Sequence, residues 1–113
     1  MTANDFRRIA LRMPGAVEGA HMGHPDFRAN GRIFATLHAD ADNRSGMVKL
    51  TPDQQQEFMR DNPEMFSPES GAWGKAGSTR VHLAVADEET IGKAMTFAWQ
   101  NTPKKTKRPP TRK

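Results

Sequence analysis

Apolar residues recur at helical spacing in three parts of the chain, which predicts three amphipathic helices. The first is predicted over residues 2–13, with Thr2 as its N-cap and Asp5 at the third position. The second begins at Thr51, because Thr51-Pro52-Asp53-Gln54 combines an N-cap threonine, a proline at the first helical position and the glutamine of a capping box. The third follows the N-cap residue Asp87 and ends before Pro103.

Strands are predicted between these helices. Residues 25–29 and 32–38 flank Asn30-Gly31, the dipeptide typical of a type I′ hairpin turn, because both residues tolerate positive φ. The remaining strand-like segments are residues 46–50, residues 65–67, a segment around Trp73, and residues 79–85. We therefore predict an α+β fold with an antiparallel sheet of about five strands, helices packed on one face, and the element order α-β-β-β-α-β-β-α.

The positive charge of the chain is concentrated at its end. The 113 residues include 17 Lys and Arg and 13 Asp and Glu, and residues 103–113 hold six of the cations and no acid. We expect one folded, slightly acidic domain over residues 1–102 and a disordered, basic, Pro-rich tail over residues 103–113. The tail predicts attachment to DNA or another polyanion, and a solubilising extension is the alternative. Its candidate contacts are Lys104, Lys105, Lys107 and Arg108.

Composition narrows the remaining classes of protein. There is no cysteine, which excludes disulfides and thiolate metal sites, and no apolar run is long enough for a membrane span. We expect a cytoplasmic monomer without a cofactor.

The histidines of His21-x-x-His24 could bind a metal only together with a third ligand. Because Pro25 favours an extended backbone there, we predict no metal site.

The alternation of strand residues predicts a basic face on the sheet. If Val81, Leu83 and Val85 face the helices, Arg80 and His82 face outward. The same alternation in the strand over residues 32–38 predicts that the side chain of Ile33 faces the helices. Cations beside aromatic rings suit phosphates and bases, although exposed strands often carry Arg, Lys and Thr without such a role. The predicted outward residues with this chemistry are Arg32, Phe34, His38, Lys49, Lys75, Arg80 and His82.

The glycine-rich segment Gly71–Leu83 resembles a phosphate-binding loop only superficially, because Ala76 stands where that motif needs Ser or Thr. We expect Trp73 to pack against the core, and stacking on a base or small ligand is the alternative.

No arrangement of residues typical of a catalytic site is recognisable in the sequence. His24 and Asp26 form the one neighbouring acid–base pair.

Several short motifs follow one another between about residues 4 and 100. They are Phe6–Leu11 through Pro14-Gly15, Gly23–Arg28, Gly31–Leu37, Lys49–Gln55, Pro63–Phe66, Gly71–Thr79 with Val81 and Leu83, and Ala98-Trp99. In this order they resemble the MmcQ/YjbR family of small bacterial proteins. The resemblance implies a compact α+β domain of double-wing, CyaY-like arrangement and a suggested DNA-binding role. It implies no established enzyme activity and no agreed binding residues.

Two functions are therefore predicted, with an enzyme ranked after both. The leading hypothesis is a non-catalytic nucleic-acid-binding module that uses the basic sheet face and the tail. The alternative is a protein-interaction or small-ligand-binding module that uses His24, Phe34 and Trp73, and it predicts a concave pocket near the glycine-rich segment.

Overall fold

In the computed structural model, residues 1–38 and 45–102 are described. The predicted tail, with Lys104, Lys105, Lys107 and Arg108, lies outside them, as does the loop over residues 39–44. The helices are α1 (Ala3–Leu11), α2 (Pro52–Asp61), α3 (Gly71–Lys75) and α4 (Glu88–Gln100). The strands are β1 (Val17–His21), β2 (His24–Ala29), β3 (Arg32–Leu37), β4 (Ser45–Lys49), β5 (Phe66–Pro68) and β6 (Ser78–His82).

The strands of the described residues form one antiparallel sheet in the order β1-β2-β3-β4-β6-β5. Helices α1 and α4 contact each other and cover β3 and β4, while α2 covers β5 and β6. Their apolar stripes and the inner side of the sheet form one core, with Phe6, Phe27 and Met95 completely buried. The predicted α+β class is confirmed. None of the described helices is long and apolar enough to cross a membrane.

The predicted helix starts are confirmed in detail. Thr2 and Thr51 each form a capping box, with Asp5 and Gln54 respectively, so two otherwise unpaired backbone N–H groups are satisfied at each start. Asp87 caps α4 by accepting from the Thr90 backbone N–H. The Asn30-Gly31 turn also forms, with φ of 56° and 74° at its two residues.

The predicted sheet lacks one strand that the structure contains. β1 pairs with β2 along its whole length but is an exposed edge strand. Because neither of its faces is buried, it carries no apolar alternation, and the strand count of about five was too low.

A bulge in β3 explains why Arg32, Ile33 and Phe34 were assigned to the wrong side of the sheet. Phe27 pairs with Ala35 and Arg28 with Ile33, which leaves Phe34 as the extra residue. The bulge reverses the alternation, so Phe34 is buried in the core at 0% exposure and Ile33 faces the opposite side. The prediction that Phe34 faces outward is wrong.

The segment from Gly71 to Val85 also differs from the prediction. The residues around Trp73 form helix α3 instead of a strand, and Trp73 is 67% exposed instead of packing in the core. β6 ends at His82 and continues as a 3₁₀ turn over Leu83–Val85. The side chain of Val85 therefore does not reach the core.

Helix α3 is held against its neighbours by close backbone contacts. A Cβ on Gly74 would lie 1.8 Å from the Glu69 carbonyl oxygen, and a Cβ on Gly77 would lie 2.0 Å from the Leu50 carbonyl oxygen. Gln55, buried on α2, donates from its amide nitrogen to the carbonyl oxygens of Gly74 and Ser78. The glycines are therefore required for close packing, which places Trp73.

The substitution Gly74→Ala should destabilise the protein by more than about 2 kcal/mol, because the new methyl group overlaps a backbone carbonyl that cannot move freely. Gly92→Ala is the matched control, since a Cβ at Gly92 in α4 meets nothing within 4 Å. It should stabilise by about 0.5 to 1 kcal/mol. Urea unfolding of both variants measures the difference, and equal stability of the two would contradict the packing described.

Candidate ligand cleft on the helix-free face

The side of the sheet opposite the helices carries a cleft. Across the central strands Thr36 lies opposite Met47, and Lys49 lies opposite Ser78. Because directly opposite residues point to the same side of a sheet, these side chains share the helix-free face. Helix α3 stands at one border of this face, beside an open cavity of about 370 Å³.

We call this cavity the sheet cleft. Its lining combines an aromatic wall, aliphatic side chains and several polar groups. The lining residues are His21, His24, Ile33, Thr36, His38, Met47, Lys49, Glu69, Ser70, Trp73 and Ser78.

Trp73 and Lys49 form one border of the sheet cleft. The Lys49 Nζ lies 5.5 Å from the centre of the Trp73 ring, within the range of a cation–π interaction. This contact fixes a positive charge beside an exposed aromatic surface. A ligand entering here would meet both a flat apolar ring and a cation.

A buried carboxylate lies behind the opposite border. Asp26 is completely buried and accepts two hydrogen bonds from the Arg28 guanidinium, at 2.7 and 3.0 Å. Gly19 lies directly opposite on β1, and a Cβ there would come within 3.0 Å of the carboxylate, so the glycine leaves room for the pair. The hydrogen bond from Arg28 lowers the pKa of Asp26 below its usual range. Burial acts in the raising direction, and the bond to His21 lowers the pKa further.

The same carboxylate orients an imidazole in the sheet cleft. His21 Nδ1 lies 2.8 Å from Asp26 Oδ2. Because a carboxylate can only accept, the proton of this bond sits on Nδ1 and leaves Nε2 as the second functional atom of the ring. The predicted pairing of Asp26 with His24 is therefore replaced by a pairing with His21.

A second carboxylate is enclosed by a polar cluster. Glu69 Oε1 lies 3.3 Å from an Arg80 nitrogen, and Glu69 Oε2 lies 2.8 Å from His38 Nε2. The Oε2 atom is buried, with the His38 ring beside it. His38 Nδ1 lies 3.0 Å from the Ser45 hydroxyl. The side chains of Ser45, His38 and Glu69 thus lie in a row in space. Ser45 is buried, however, and does not line the cleft.

The histidines form a row along the cleft. The ring centres of His21 and His24 are 5.9 Å apart, and those of His24 and His38 are 6.4 Å apart. Within residues 1–38 and 45–102, no group of three or more His, Asp or Glu residues is arranged to hold a metal ion.

The predicted site residues fall into separate groups. Lys49, His24 and Trp73 meet in the sheet cleft. Arg80 and His82 share its face but lie outside the lining, where Arg80 pairs with Glu69 and His82 Nε2 lies 2.8 Å from the Ser67 hydroxyl.

The other predicted residues lie elsewhere. Arg32 pairs with the buried Ala29 and therefore points to the helix side, where it lines a separate groove with Thr51. Lys75 is exposed at the end of α3. Phe34 belongs to the core. Asp26 and Glu69 lie on this side of the sheet, so the predicted basic face also carries two carboxylates.

Sequence reasoning missed the roles of His21, Asp26 and Glu69. His21 is the last residue of the edge strand β1, which has no alternation of apolar residues. Glu69 lies in the connection between β5 and α3. The sequence did contain one signal for the ion pair of Asp26. Asp26 and Arg28 stand two residues apart in a predicted strand, which places a carboxylate and a guanidinium on the same side.

The comparisons with known proteins agree with this fold. The described architecture is that of a small α+β domain with one covered and one open sheet face. The YjbR family model matches residues 11–101, and the chain therefore belongs to the YjbR family. The crystal structure of Deinococcus radiodurans protein DR2400, with a DUF419 domain, superposes with a TM-score of 0.78 at 18% identity. The match covers 94% of this chain and 81% of that one, which supports the fold. No curated protein matches the chain.

The substitution Asp26→Asn should lower the free energy of unfolding by about 2 kcal/mol near neutral pH, because it removes charge-assisted hydrogen bonds from a buried group. The lowered pKa of Asp26 means that its stabilisation is complete above the unfolded pKa of about 4 and is lost as pH falls through the folded value. The difference between the two proteins should therefore shrink below about pH 4.

Urea unfolding across a pH series measures this difference. Asp61→Asn is the control, because that carboxylate is exposed and forms a surface ion pair with its neighbour Arg60; its effect should stay within about 0.5 kcal/mol. A constant effect of Asp26→Asn down to strongly acidic pH would show that its charge is not what stabilises the fold.

Proposed function

We propose that this protein is a binding module that takes a ligand with a flat ring into the sheet cleft, with the ring against Trp73. The observation that carries the proposal is the exposure of Trp73 at the border of a concave site. Leaving a large apolar side chain in water forgoes about 1.5 to 3 kcal/mol of burial free energy. The close contacts at Gly74 and Gly77 nevertheless hold the helix that presents this ring.

The dimensions and lining of the cleft support a small ligand. Its volume of about 370 Å³ lies at the lower end of the range of small-molecule sites. Ile33 and Met47 offer apolar contact, while Ser70 and Ser78 offer hydroxyl groups. A few polar groups around an apolar surface are typical of sites that orient a ligand.

The charges on the open face favour a local site over an extended basic platform. Arg28 is paired with Asp26, Arg80 is paired with Glu69, and Arg32 points to the other side. These arginines therefore contribute little unbalanced charge to phosphate binding along the sheet.

Nucleic-acid binding is the second candidate, and the arrangement on α3 favours it. Lys75 stands two residues after Trp73, and the Lys49 ammonium lies over the Trp73 ring. A ring flanked by cations can stack on an unpaired base while the cations contact its phosphates. This proposal needs a single-stranded segment, because bases in a duplex cannot reach the ring.

Trp73→Ala should weaken the binding of aromatic probes by about tenfold, the effect expected for one lost stacking contact. The probes are adenosine, 2-naphthol and naphthalene-2-sulfonate, titrated into ¹⁵N-labelled protein while the two indole Nε1–H signals are followed by NMR. We expect the Trp73 signal to shift and the Trp99 signal to stay, because Trp99 donates to the Pro14 carbonyl oxygen away from the cleft.

The variant Trp99→Phe is the matched control for this titration and should leave the affinity unchanged. If none of the three probes shifts the Trp73 signal at millimolar concentration, the proposed site is not a ligand site. If Trp73→Ala and Trp99→Phe weaken binding equally, the site lies elsewhere.

Single-stranded DNA should bind more tightly than duplex DNA if the second candidate is right. Lys75→Gln should then reduce the slope of log affinity against log salt concentration by about 1, the effect of one lost phosphate contact. Lys93→Gln, on α4, should leave the slope unchanged. Replacing Lys104, Lys105, Lys107 and Arg108 by Gln tests the tail, and it should reduce the slope further.

Fluorescence anisotropy of labelled oligonucleotides across a salt series measures these slopes. Failure to bind single-stranded DNA even at low salt would remove the second candidate. It would leave the small-ligand proposal intact.

A further inference from the structure

Three of the four histidines of the chain line one cavity. His21, His24 and His38 come from neighbouring strands or their ends, and their rings follow one another at 5.9 and 6.4 Å between centres. The fourth, His82, shares the face but does not line the sheet cleft. A wall of imidazoles becomes a wall of N–H donors and positive charges when the rings are protonated.

Each carboxylate next to this row contacts one of its histidines and is also paired with an arginine. Asp26 is held by Arg28, and Glu69 by Arg80. Lys49 adds a further cation at the Trp73 border. The charged and titratable groups of the described residues on this face are His21 on β1; His24, Asp26 and Arg28 on β2; His38 after β3; Lys49 on β4; Glu69 after β5; and Arg80 and His82 on β6.

We propose that the histidine row is an anion subsite, so that the ligand of the sheet cleft carries a negatively charged group beside its flat ring. The inference rests on the proposed function and names its ligand class, an aromatic anion. The ring lies against Trp73, and the anionic group lies at the imidazoles.

The orientation of His21 provides the chemical reason. Its Nδ1–H is directed to the buried Asp26, so the neutral ring presents the lone pair of Nε2, which repels an anion. Protonation replaces that lone pair with an N–H donor and adds a positive charge. A protonated row therefore attracts an anion, which should bind more tightly at mildly acidic pH.

Isothermal titration calorimetry with two matched probes tests this inference on the intact protein. Naphthalene-2-sulfonate keeps its negative charge throughout, and 2-naphthol has the same ring system without charge. Between about pH 5.5 and about pH 8 we expect the affinity for the sulfonate to fall by about tenfold and that for 2-naphthol to stay constant. Equal affinity for the sulfonate at both pH values would overturn the proposal.

Two histidine variants locate the effect. His21→Gln should remove most of the pH dependence of sulfonate binding, while His82→Gln should leave it unchanged. A pH dependence that survives His21→Gln but disappears in His82→Gln would contradict the assignment. Should His21→Gln fail to fold, His24→Gln supplies the second variant.

The outcomes separate this inference from the proposed function. Binding of both probes through Trp73, without any preference for the sulfonate at low pH, would retain the cleft as a ligand site and reject the anion subsite. If neither probe binds at either pH, the proposed function itself fails.

Discussion

The close backbone packing of α3 is the constraint on which the open face depends. Gly74 rests on the Glu69 carbonyl group and Gly77 on that of Leu50, at distances that no side chain would allow. The buried amide of Gln55 joins the same backbone to α2. Because these contacts fix a helix of only five residues, Trp73 can project beside the sheet without being buried in the core.

A second constraint lies in β3, where one extra residue decides what faces the cleft. The bulge places the Phe34 ring in the core and turns Ile33 toward the helix-free face. Thr36, beyond the bulge, faces the same side as its partner Met47. Polar pairs then complete the cleft border. Asp26 forms one hydrogen bond with His21, so a buried carboxylate on β2 fixes the orientation of an imidazole on the edge strand.

Local signals in the sequence were sufficient for much of the fold. The capping boxes at Thr2 and Thr51 and the Asn30-Gly31 turn depend on neighbouring residues, and all three were predicted correctly. The errors came from distant contacts. Nothing local marks the bulge at Phe34, and the glycines beside Trp73 suit a strand until Leu50 and Gln55 are known to pack against them. In the site, Lys49, His24 and Trp73 were candidates from the sequence, although Trp73 was expected to pack against the core. The partners of His21 and Glu69 depend on strand pairing.

The packing of α3 preforms the sheet cleft, so that the Trp73 ring lies beside Lys49 before any ligand binds. Nuclear Overhauser effects in the ligand-free protein test it most directly. We expect cross-peaks from the Trp73 ring protons to the Lys49 side chain, since the ammonium lies 5.5 Å from the ring centre. A Trp73 ring without cross-peaks to Lys49, with chemical shifts like those of free tryptophan, would contradict it.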